Sequence, residues 1–237
     1  MTPYIRLPLE TTFNTRDLGG LPTSDGKVVQ WQKIYRSDDI SFLSRNDIAR
    51  FQQLGIQTVI DLRSDEELAK TGYQLNGQTG IAVHHLPLVT DLPIADITQE
   101  LVSDLSLGDF YVQLLETSKP AIKQIFEVIA SAEEQAVLFH CSAGKDRTGV
   151  IAALLLSLLH VDQGGIIANY EITYAFLKQN SRLMDSSPYR HLMYSKGEYM
   201  AHMLNHLTRH YKNAETYLAD CGIENNTFTA LRQRYLA

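Results

Sequence analysis

The sequence predicts an α/β fold in a single domain, with a mainly parallel central sheet flanked by helices and a helical C-terminal half. Short apolar segments typical of strands alternate with amphipathic segments typical of helices, which is the order that builds a parallel sheet. The 237 residues, of which 44% are hydrophobic, suffice for one core. No internal repeat, low-complexity tract or linker interrupts the chain, so we assign residues 1–237 to one domain.

The first third of the chain predicts two short β-like segments and one helix. The β-like segments are Lys27–Val29 and Lys33–Tyr35, in a region punctuated by glycine-containing turns. In the helix that follows, Ser44 is the N-cap, Asp47 takes the capping-box position and Gly55 ends the helix. The side chains that we expect this helix to bury are Ile48, Phe51 and Leu54.

The next segments predict two strands and a short helix. The sequence IQTVIDL, which begins at Ile56, is a strand whose end brings Asp61 and Arg63 to one edge of the sheet. Ser64 caps a short acidic helix, and Ile81–Leu86 forms the following strand, which Pro87 ends.

A helix, a strand and a second helix complete the predicted sheet layer. Pro120 opens the first helix. Its buried face is predicted to consist of Ile122, Ile125, Phe126 and Ile129. The apolar segment AVLFH is a strand that ends at His140. The apolar run Val150–Leu159 is about half of the ~20 residues that span a bilayer, so we expect a buried helix and no stable membrane insertion. The chain from about Gly164 onward is predicted to be helical.

Two segments are predicted to cover a site. Residues 88–108 lose clear periodicity and contain Asp91, while residues 184–197 mix aromatic, methionine and basic side chains around Pro188. The alternative for the second segment is a surface loop between helices.

Charge and cysteine content exclude several classes of function. The formal net charge of −6 and the pI near 5.7 give no general attraction for nucleic acid or anionic membranes, so an anionic ligand requires a local cluster of cations. The two cysteines, Cys141 and Cys221, lack the spacing of a disulfide framework or a zinc ribbon and suit a reducing compartment. We see no signal peptide and expect a cytoplasmic protein, while export by an unconventional route and the oligomeric state stay open.

The sequence FHCSAGKDRTG joins the last predicted strand to the apolar helix. A strand that turns into a helix leaves backbone N–H groups pointing into one small volume at the positive end of the helix dipole, which favours an anion. Gly144 allows the backbone to curl closely, and Arg147 offers a planar fork of donors for two phosphate oxygens. His140, Lys145 and these dipoles favour the thiolate form of Cys141, which is a nucleophile.

The segment HCSAGKDRTG, residues 140–149, resembles the HCxxGxxR(S/T) signature of the cysteine-based phosphatases. Three upstream motifs, NTRDLGG from Asn14, RSD from Arg36 and VIDLRSDEE from Val59, are similar to those of the atypical bacterial tyrosine-phosphatase-like branch. The resemblance covers more than half of the chain, from Asn14 to Gly149. It implies a phosphatase of the tyrosine-phosphatase-like fold that needs no metal or cofactor. Its substrates would be phosphotyrosine, phosphoserine or phosphothreonine in a protein, or phosphoinositides.

The resemblance also implies a role for each residue of the motif. Cys141 attacks phosphorus and forms a phosphocysteine, Arg147 binds the equatorial oxygens in the transition state, and Thr148 hydrogen-bonds the thiolate. The residues expected to bind the phosphoryl group are Ser142, Ala143, Gly144, Lys145 and Arg147. The residues expected to support the site are His140, Thr148, Asp61, Arg16 and Asp17.

The general acid that protonates the leaving oxygen has three candidates. Tyrosine phosphatases of the well-known type use an aspartate of a Trp-Pro-Asp loop, but the single tryptophan here, Trp31, is not followed by Pro-Asp. The resemblance favours Asp146, although its cationic neighbours favour the carboxylate, which suits a base. Asp61 is the second candidate and Asp91 the third. Lys145 adds a second cation, as in lipid phosphatases of the superfamily, and therefore favours phosphoinositides.

Simpler interpretations exist for several residues. Cys141 alone is compatible with a core position, and Asp146 with a helix cap. Six upstream charged residues are candidates for an ion-pair network that holds the loop, and we favour this role for most of them: Arg16, Asp17, Arg36, Asp38, Asp61 and Arg63. Cys221 is expected to be a core residue at a helix end.

Three histidines recur at every fourth position: His202, His206 and His210. The sequence HMLNH lacks the glutamate of the HExxH zinc motif, so we expect a packed or solvated helix face and no metal site.

Two rival functions remain beside phosphate ester hydrolysis. The first is a catalytically silent phosphate-binding module, against which the intact Cys141, Asp146 and Arg147 argue. The second is a sulfurtransferase or arsenate reductase, which requires a different loop pattern or resolving thiols.

Overall fold

The computed structural model describes residues 5–73, 75, 80–89, 107–132, 134–180 and 193–237. In this part of the chain one five-stranded sheet has the order β1-β2-β5-β3-β4. Its strands are β1 (Arg16–Asp17), β2 (Ile34–Ser37), β3 (Ile56–Asp61), β4 (Ala82–His85) and β5 (Ala136–His140). Only the β1–β2 pair is antiparallel, and the other three pairs are parallel. The predicted α/β fold class with a mainly parallel sheet is confirmed.

The described helices surround this sheet and fill the C-terminal part of the chain. The first four are α1 (Arg45–Gln53), α2 (Asp65–Thr71), α3 (Leu107–Thr117) and α4 (Lys119–Ser131). The other five are α5 (Asp146–Leu158), α6 (Gln163–Leu177), α7 (Gly197–Tyr211), α8 (Ala214–Asp220) and α9 (Asn225–Tyr235). None of the helices in the described ranges is long and apolar enough to cross a bilayer.

The middle strand, β5, determines where the site lies. It pairs with β2 on one side and β3 on the other, and all five of its residues are buried. His140, at its end, is in register with Ser37 of β2 and Asp61 of β3. The chain therefore leaves the sheet at the carboxyl ends of three adjacent parallel strands, which is where open α/β sheets place their ligands.

Two apolar clusters cover the two faces of the sheet. The larger one contains α5, whose residues are buried except for Asp146 and Ser157, and the predicted buried face of α4. The smaller one packs α1 and β3 together, with Phe51 and Leu54 buried and Ile48 partly buried, as predicted. The loop that connects β5 to α5 is thus held between two rigid, fully packed elements.

Several predicted boundaries require correction. Lys27–Val29 is not a strand but makes isolated bridges, one of them between Val29 and Leu236, because the C-terminus supplies its partner. The segment predicted at Lys33–Tyr35 forms β2 one to two residues later, and the strand predicted at Ile81–Leu86 is shorter by one residue at each end.

The two predicted lids fall largely outside the described residues. Positions 90–106 and 181–192, including Asp91, lie outside them. Within the first predicted lid, Leu107 and Gly108 already belong to α3, whose buried residues pack into the core.

Asp47 does not complete a capping box on α1. Ser44 caps the helix as predicted and accepts a hydrogen bond from the amide of Asp47. The carboxylate of Asp47 instead accepts from the amides of Glu10 and Thr11, at 2.8 and 3.0 Å, and from the Thr11 hydroxyl at 2.6 Å. Asp47 thus attaches the N-terminal segment to the domain.

Replacement of Asp47 is therefore expected to lower the free energy of unfolding more than replacement of an exposed helix residue does. Asp47→Ala removes three hydrogen bonds to a buried carboxylate, so we expect the free energy of unfolding to fall by about 2–4 kcal/mol. Urea denaturation measures this change. Glu66→Ala, at an exposed position on α2, is the control and should stay within about 0.5 kcal/mol. Equal stabilities of the two variants would contradict the assignment.

Candidate active site

The loop of residues 141–145, here called the cysteine loop, joins β5 to α5. It turns at Gly144, whose φ of +64° lies in the left-handed region. A Cβ atom at this position would lie 2.3 Å from the carbonyl oxygen of Ser37. Glycine is therefore required here both by the backbone conformation and by the close approach of β2.

Four successive carbonyl groups of this loop are bound from outside it. The amide of Asp39 donates to the carbonyl of Ser142 at 3.0 Å. The side-chain amide of Asn14 donates to the carbonyls of Ala143 and Gly144 at 2.9 and 3.0 Å. Arg36 donates to the carbonyls of Gly144 and Lys145 at 2.9 and 3.4 Å. Because a trans peptide places its N–H opposite its C=O, the amides of residues 143–146 point away from these partners.

Two buried guanidinium groups behind the loop bind only neutral oxygens within the described chain. Besides the loop carbonyls, Arg36 binds the side-chain oxygen of Asn169 at 2.9 Å. Arg16 binds the backbone and side-chain oxygens of Asn14, the backbone of Asn169 and the hydroxyl of Thr173. Burial lowers the pKa of Arg36 to about 10, so the group keeps its charge at neutral pH. The loop therefore lies next to guanidinium groups that form no ion pair with a carboxylate of the described residues.

Cys141 lies at the base of the loop and is 2% exposed. The hydroxyl of Thr148, in the first turn of α5, donates a hydrogen bond of 3.1 Å to its Sγ atom. His140 is fully buried, its Nδ1 lies 3.2 Å from the carbonyl oxygen of Cys141, and burial lowers the pKa of its imidazole. The predicted contact between Thr148 and the sulfur is thus present.

Arg147 is oriented by Glu67, a residue of α2 that the sequence analysis did not single out. Both oxygens of Glu67 accept from the guanidinium, at 2.5 and 2.8 Å, and one also accepts from the hydroxyl of Ser142 at 2.6 Å. Burial raises the pKa of Glu67, but the hydrogen bonds and charge of Arg147 outweigh this and lower it to about 2. Glu67 is therefore an anion that holds the fork of Arg147 over the loop.

Asp146 begins α5 and retains partial exposure, with 27% of its side chain accessible. Its Oδ1 atom accepts a hydrogen bond of 2.5 Å from the hydroxyl of Tyr111 and lies 3.1 Å from Nζ of Lys145. Lys145 also donates to the carbonyl of Tyr194 at 3.4 Å. Asp146 thus lies both at the start of the helix and close to the loop. This position is compatible with a helix cap and with a general acid.

Asp61 is buried, and hydrogen bonds from neighbouring side chains engage both of its oxygens. Its oxygens accept from the guanidinium of Arg63 and from the hydroxyl of Tyr73, and one lies 3.7 Å from Nε2 of His140. Burial raises the pKa of Asp61, but Arg63 and then His140 and Tyr73 outweigh it, so the net shift is downward. A carboxylate held in this way suits a structural support of His140 better than proton donation to a substrate.

The predicted ion-pair network is only partly correct. Asp61 and Arg63 form an ion pair, and Arg63 also pairs with an aspartate outside the predicted set, Asp39, at 2.9 Å. Asp38 accepts from the backbone amides of Phe13 and Asn14, at 2.9 and 3.0 Å, and takes part in no ion pair among the described residues.

Asp17, predicted to support the site, stabilises a turn instead. It accepts from the amides of Gly19 and Gln32 at 2.8 and 2.7 Å, and burial raises its pKa to about 6. Backbone groups compete successfully for these carboxylates because they are numerous and buried beside them.

Several residues of the site were missed by sequence reasoning. They are Glu67, which binds Arg147, Tyr111, which binds Asp146, and Asn14 and Asn169, which bind the loop and its buried arginines. Asn14 and Glu67 lie in the upstream motifs NTRDLGG and VIDLRSDEE, so the motif was a usable signal for them. Tyr111 and Asn169 lie on helices with no local motif.

The histidine stripe lies on α7 and faces α3. Nε2 of His202 lies 2.9 Å from Asp109, Nε2 of His206 lies 2.8 Å from Glu116, and the rings of His206 and His210 stack at 4.2 Å. Within the described ranges no group of three or more such side chains has the arrangement of a metal site. Cys221 is a buried residue at the end of α8, as predicted, and burial raises its pKa to about 11.

Comparison with known proteins identifies the family. A model of the tyrosine phosphatase family matches residues 7–237. A tyrosine-protein phosphatase of Nostoc commune is 33% identical over 215 residues, which cover 84% of this chain and 72% of the relative. The triple specificity protein phosphatase PtpB of Mycobacterium tuberculosis is 31% identical over 193 residues, which cover 68% and 67% of the two chains.

Among solved structures, TpbA of P. aeruginosa aligns with 68% of this chain and 91% of its own, at 18% identity and a TM-score of 0.38. The assignment rests on the family match over nearly the whole chain and on the named relatives. The chain is therefore a phosphatase and belongs to the tyrosine phosphatase family.

Proposed function

We propose that this phosphatase hydrolyses phosphate monoesters through a phosphocysteine intermediate on Cys141. The observation that carries the proposal is a buried thiol at the base of a loop whose carbonyl groups are bound from outside. A dianionic phosphoryl group is the ligand that is favoured by the amides of residues 143–146 and by the guanidinium groups of Arg16 and Arg36, which form no ion pair among the described residues. The reactive sulfur requires a reduced state, which fits the expected cytoplasmic location.

Substrate binding places phosphorus above Cys141. The amides of residues 143–146 and the guanidinium of Arg147 bind the non-bridging oxygens, and Glu67 keeps that guanidinium in position. Because the charge on these oxygens redistributes in the transition state, donors that are fixed beforehand stabilise it most. No bound metal is needed for this part of the chemistry, since the loop and Arg147 provide the positive charge.

In the first chemical step the thiolate of Cys141 forms a bond to phosphorus as the bond to the ester oxygen breaks. Asp146 gives its proton to the departing oxygen, so that an alcohol or phenol leaves. In the second step water attacks phosphorus, Asp146 accepts a proton from that water, and the S–P bond breaks to regenerate the thiolate. Thr148, which donates to Sγ, stabilises the sulfur as it leaves.

The burial of Cys141 bears on the choice of substrate. With the thiol 2% exposed, a phosphoryl group at the end of a long rigid arm reaches it more easily than one close to a peptide backbone. We therefore propose phosphotyrosine in proteins as a substrate ahead of phosphoserine and phosphothreonine. Lys145, a second buried cation within the cysteine loop, extends the proposal to phosphoinositides, which carry neighbouring phosphates.

Cys141→Ser tests the nucleophile. We expect the variant to lose essentially all hydrolysis of phenyl phosphate, at least about 10³-fold, because an alcohol is a much poorer nucleophile at neutral pH. Rapid quenching of the wild-type protein with labelled substrate should trap one phosphate on Cys141, detected by mass spectrometry. Phosphate binding without turnover by the wild-type protein would instead support the silent binding module.

Glu67→Gln tests the orientation of Arg147. Glutamine keeps the capping interaction with Ser64, so α2 is preserved. The neutral amide holds the guanidinium less firmly, and we expect kcat/KM for phenyl phosphate to fall about tenfold. Glu66→Gln, one residue earlier and exposed, is the matched control and should behave as wild type. Unchanged or increased kcat/KM in Glu67→Gln would show that the ion pair does not assist catalysis.

Lys145→Ala tests the contribution of the second cation to substrate choice. We expect turnover of a phosphoinositide to fall about tenfold more than turnover of a phosphotyrosine peptide, since only the former carries a further phosphate for Lys145 to bind. Parallel assays of both substrates with one enzyme preparation measure the ratio. A loss by the same factor on both would assign Lys145 a general role and remove the argument for phosphoinositides.

A further inference from the structure

A chain of buried hydroxyl groups ends on the carboxylate of Asp146. Tyr111 of α3 and Tyr170 of α6 are 0% and 1% exposed, and their hydroxyl oxygens are 2.6 Å apart. The hydroxyl of Tyr111 also lies 2.5 Å from Oδ1 of Asp146. Two tyrosines from different helices thus converge on the residue that we propose as the general acid.

The direction of these hydrogen bonds follows from the donors present. A carboxylate oxygen accepts, so Tyr111 donates its proton to Asp146. Tyr170 must then donate to Tyr111, whose single proton is already used. Burial, followed by the nearby charge of Asp146, raises the pKa of Tyr111, so this hydroxyl remains protonated and remains a donor.

Packing holds both rings in place. They meet edge to face, with centroids 5.9 Å apart and planes at 80°. The ring of Tyr170 fits against Gly149 of α5, where an added Cβ would lie 3.3 Å from it. The two hydroxyl groups are therefore held in place by packing, and the carboxylate of Asp146 takes the orientation that these hydroxyl groups allow.

Both donors on Asp146 within the described chain bind the same oxygen. Oδ1 accepts from Tyr111 and lies 3.1 Å from Nζ of Lys145. A carboxylic acid that donates a proton uses one oxygen as the O–H group and leaves the other as an acceptor. The contacts on Oδ1 leave Oδ2 for the proton.

We propose that Tyr111, supported by Tyr170, is a positioning residue that fixes Asp146 so that Oδ2 carries the proton given to the leaving oxygen. This inference rests on the proposed role of Asp146 as general acid. It adds to that role the named oxygen and the two hydroxyls that select it. Neither tyrosine touches the phosphoryl group in this account.

The test compares leaving groups with different needs for a proton. Phenyl phosphate has a poor leaving group that requires protonation, whereas 4-nitrophenyl phosphate has a good one that requires it much less. For Tyr111→Phe we expect kcat/KM, which reports the steps up to cleavage of the ester bond, to fall about tenfold on phenyl phosphate and less than about twofold on 4-nitrophenyl phosphate. Tyr170→Phe, one hydroxyl further away, should show the same selectivity with a smaller loss.

Tyr217→Phe is the matched control. Tyr217 is also fully buried and its hydroxyl donates to the carbonyl of Leu115 on α3 at 2.7 Å, so the variant removes a core hydroxyl that contacts the same helix without touching Asp146. We expect Tyr217→Phe to leave kcat/KM unchanged for both substrates. If Tyr111→Phe folds poorly because Tyr170 loses its acceptor, the double variant Tyr111→Phe, Tyr170→Phe removes both hydroxyls and takes its place.

Asp146→Asn separates failure of the inference from failure of the proposed function. If Asp146 is the acid, the kcat/KM of this variant is selective for the good leaving group, and adding Tyr111→Phe to it lowers kcat/KM for phenyl phosphate no further. Selectivity in Asp146→Asn together with equal losses on both substrates in Tyr111→Phe would overturn the positioning role alone. If Tyr111→Phe lowered the kcat/KM of Asp146→Asn as much as it lowers that of the wild-type protein, the positioning role would also be overturned. Absence of selectivity in Asp146→Asn would overturn the general acid, and the inference with it.

Discussion

The site depends on the hydrogen bonds that hold the carbonyl groups of the cysteine loop from outside. Asn14 and Arg36 bind three of these oxygens, and the amide of Asp39 binds a fourth. Free carbonyls could rotate toward a bound phosphoryl group and repel it, whereas fixed ones keep their amides available as donors. The N-terminal segment and β2, more than 100 residues before the loop, thus determine its chemistry.

Charge around the loop is divided between two kinds of arginine. Arg63 and Arg147 are paired with the carboxylates of Asp61 and Glu67, which orient them. In the part of the chain that the structure describes, Arg16 and Arg36 bind neutral oxygens only, and neither forms an ion pair with a carboxylate. A chain of formal net charge −6 thereby concentrates positive charge at one site. This charge favours the binding of a dianion at the loop, whereas the net charge gives no general attraction for anions.

The parts of this arrangement that were predictable are local in sequence. The strand at Ala136–His140, the glycine turn and the helix start follow one another within about a dozen residues, and their patterns predict both the geometry and the motif. The pair between Glu67 and Arg147 joins positions 80 apart, and that between Tyr111 and Asp146 joins positions 35 apart. Local patterns cannot name such partners. The capping-box prediction for Asp47 was wrong for the same reason, because its carboxylate binds residues 36 and 37 positions away and not its own helix.

The most direct test of the central claim is the behaviour of the loop amides when a phosphate is bound. Nuclear magnetic resonance of the ¹⁵N-labelled protein, titrated with inorganic phosphate, reports each backbone N–H separately. We expect downfield shifts of the amide protons of residues 143–146 that saturate together, since these groups donate to the ligand. Unchanged amides in these four residues, while phosphate competitively inhibits turnover, would contradict it.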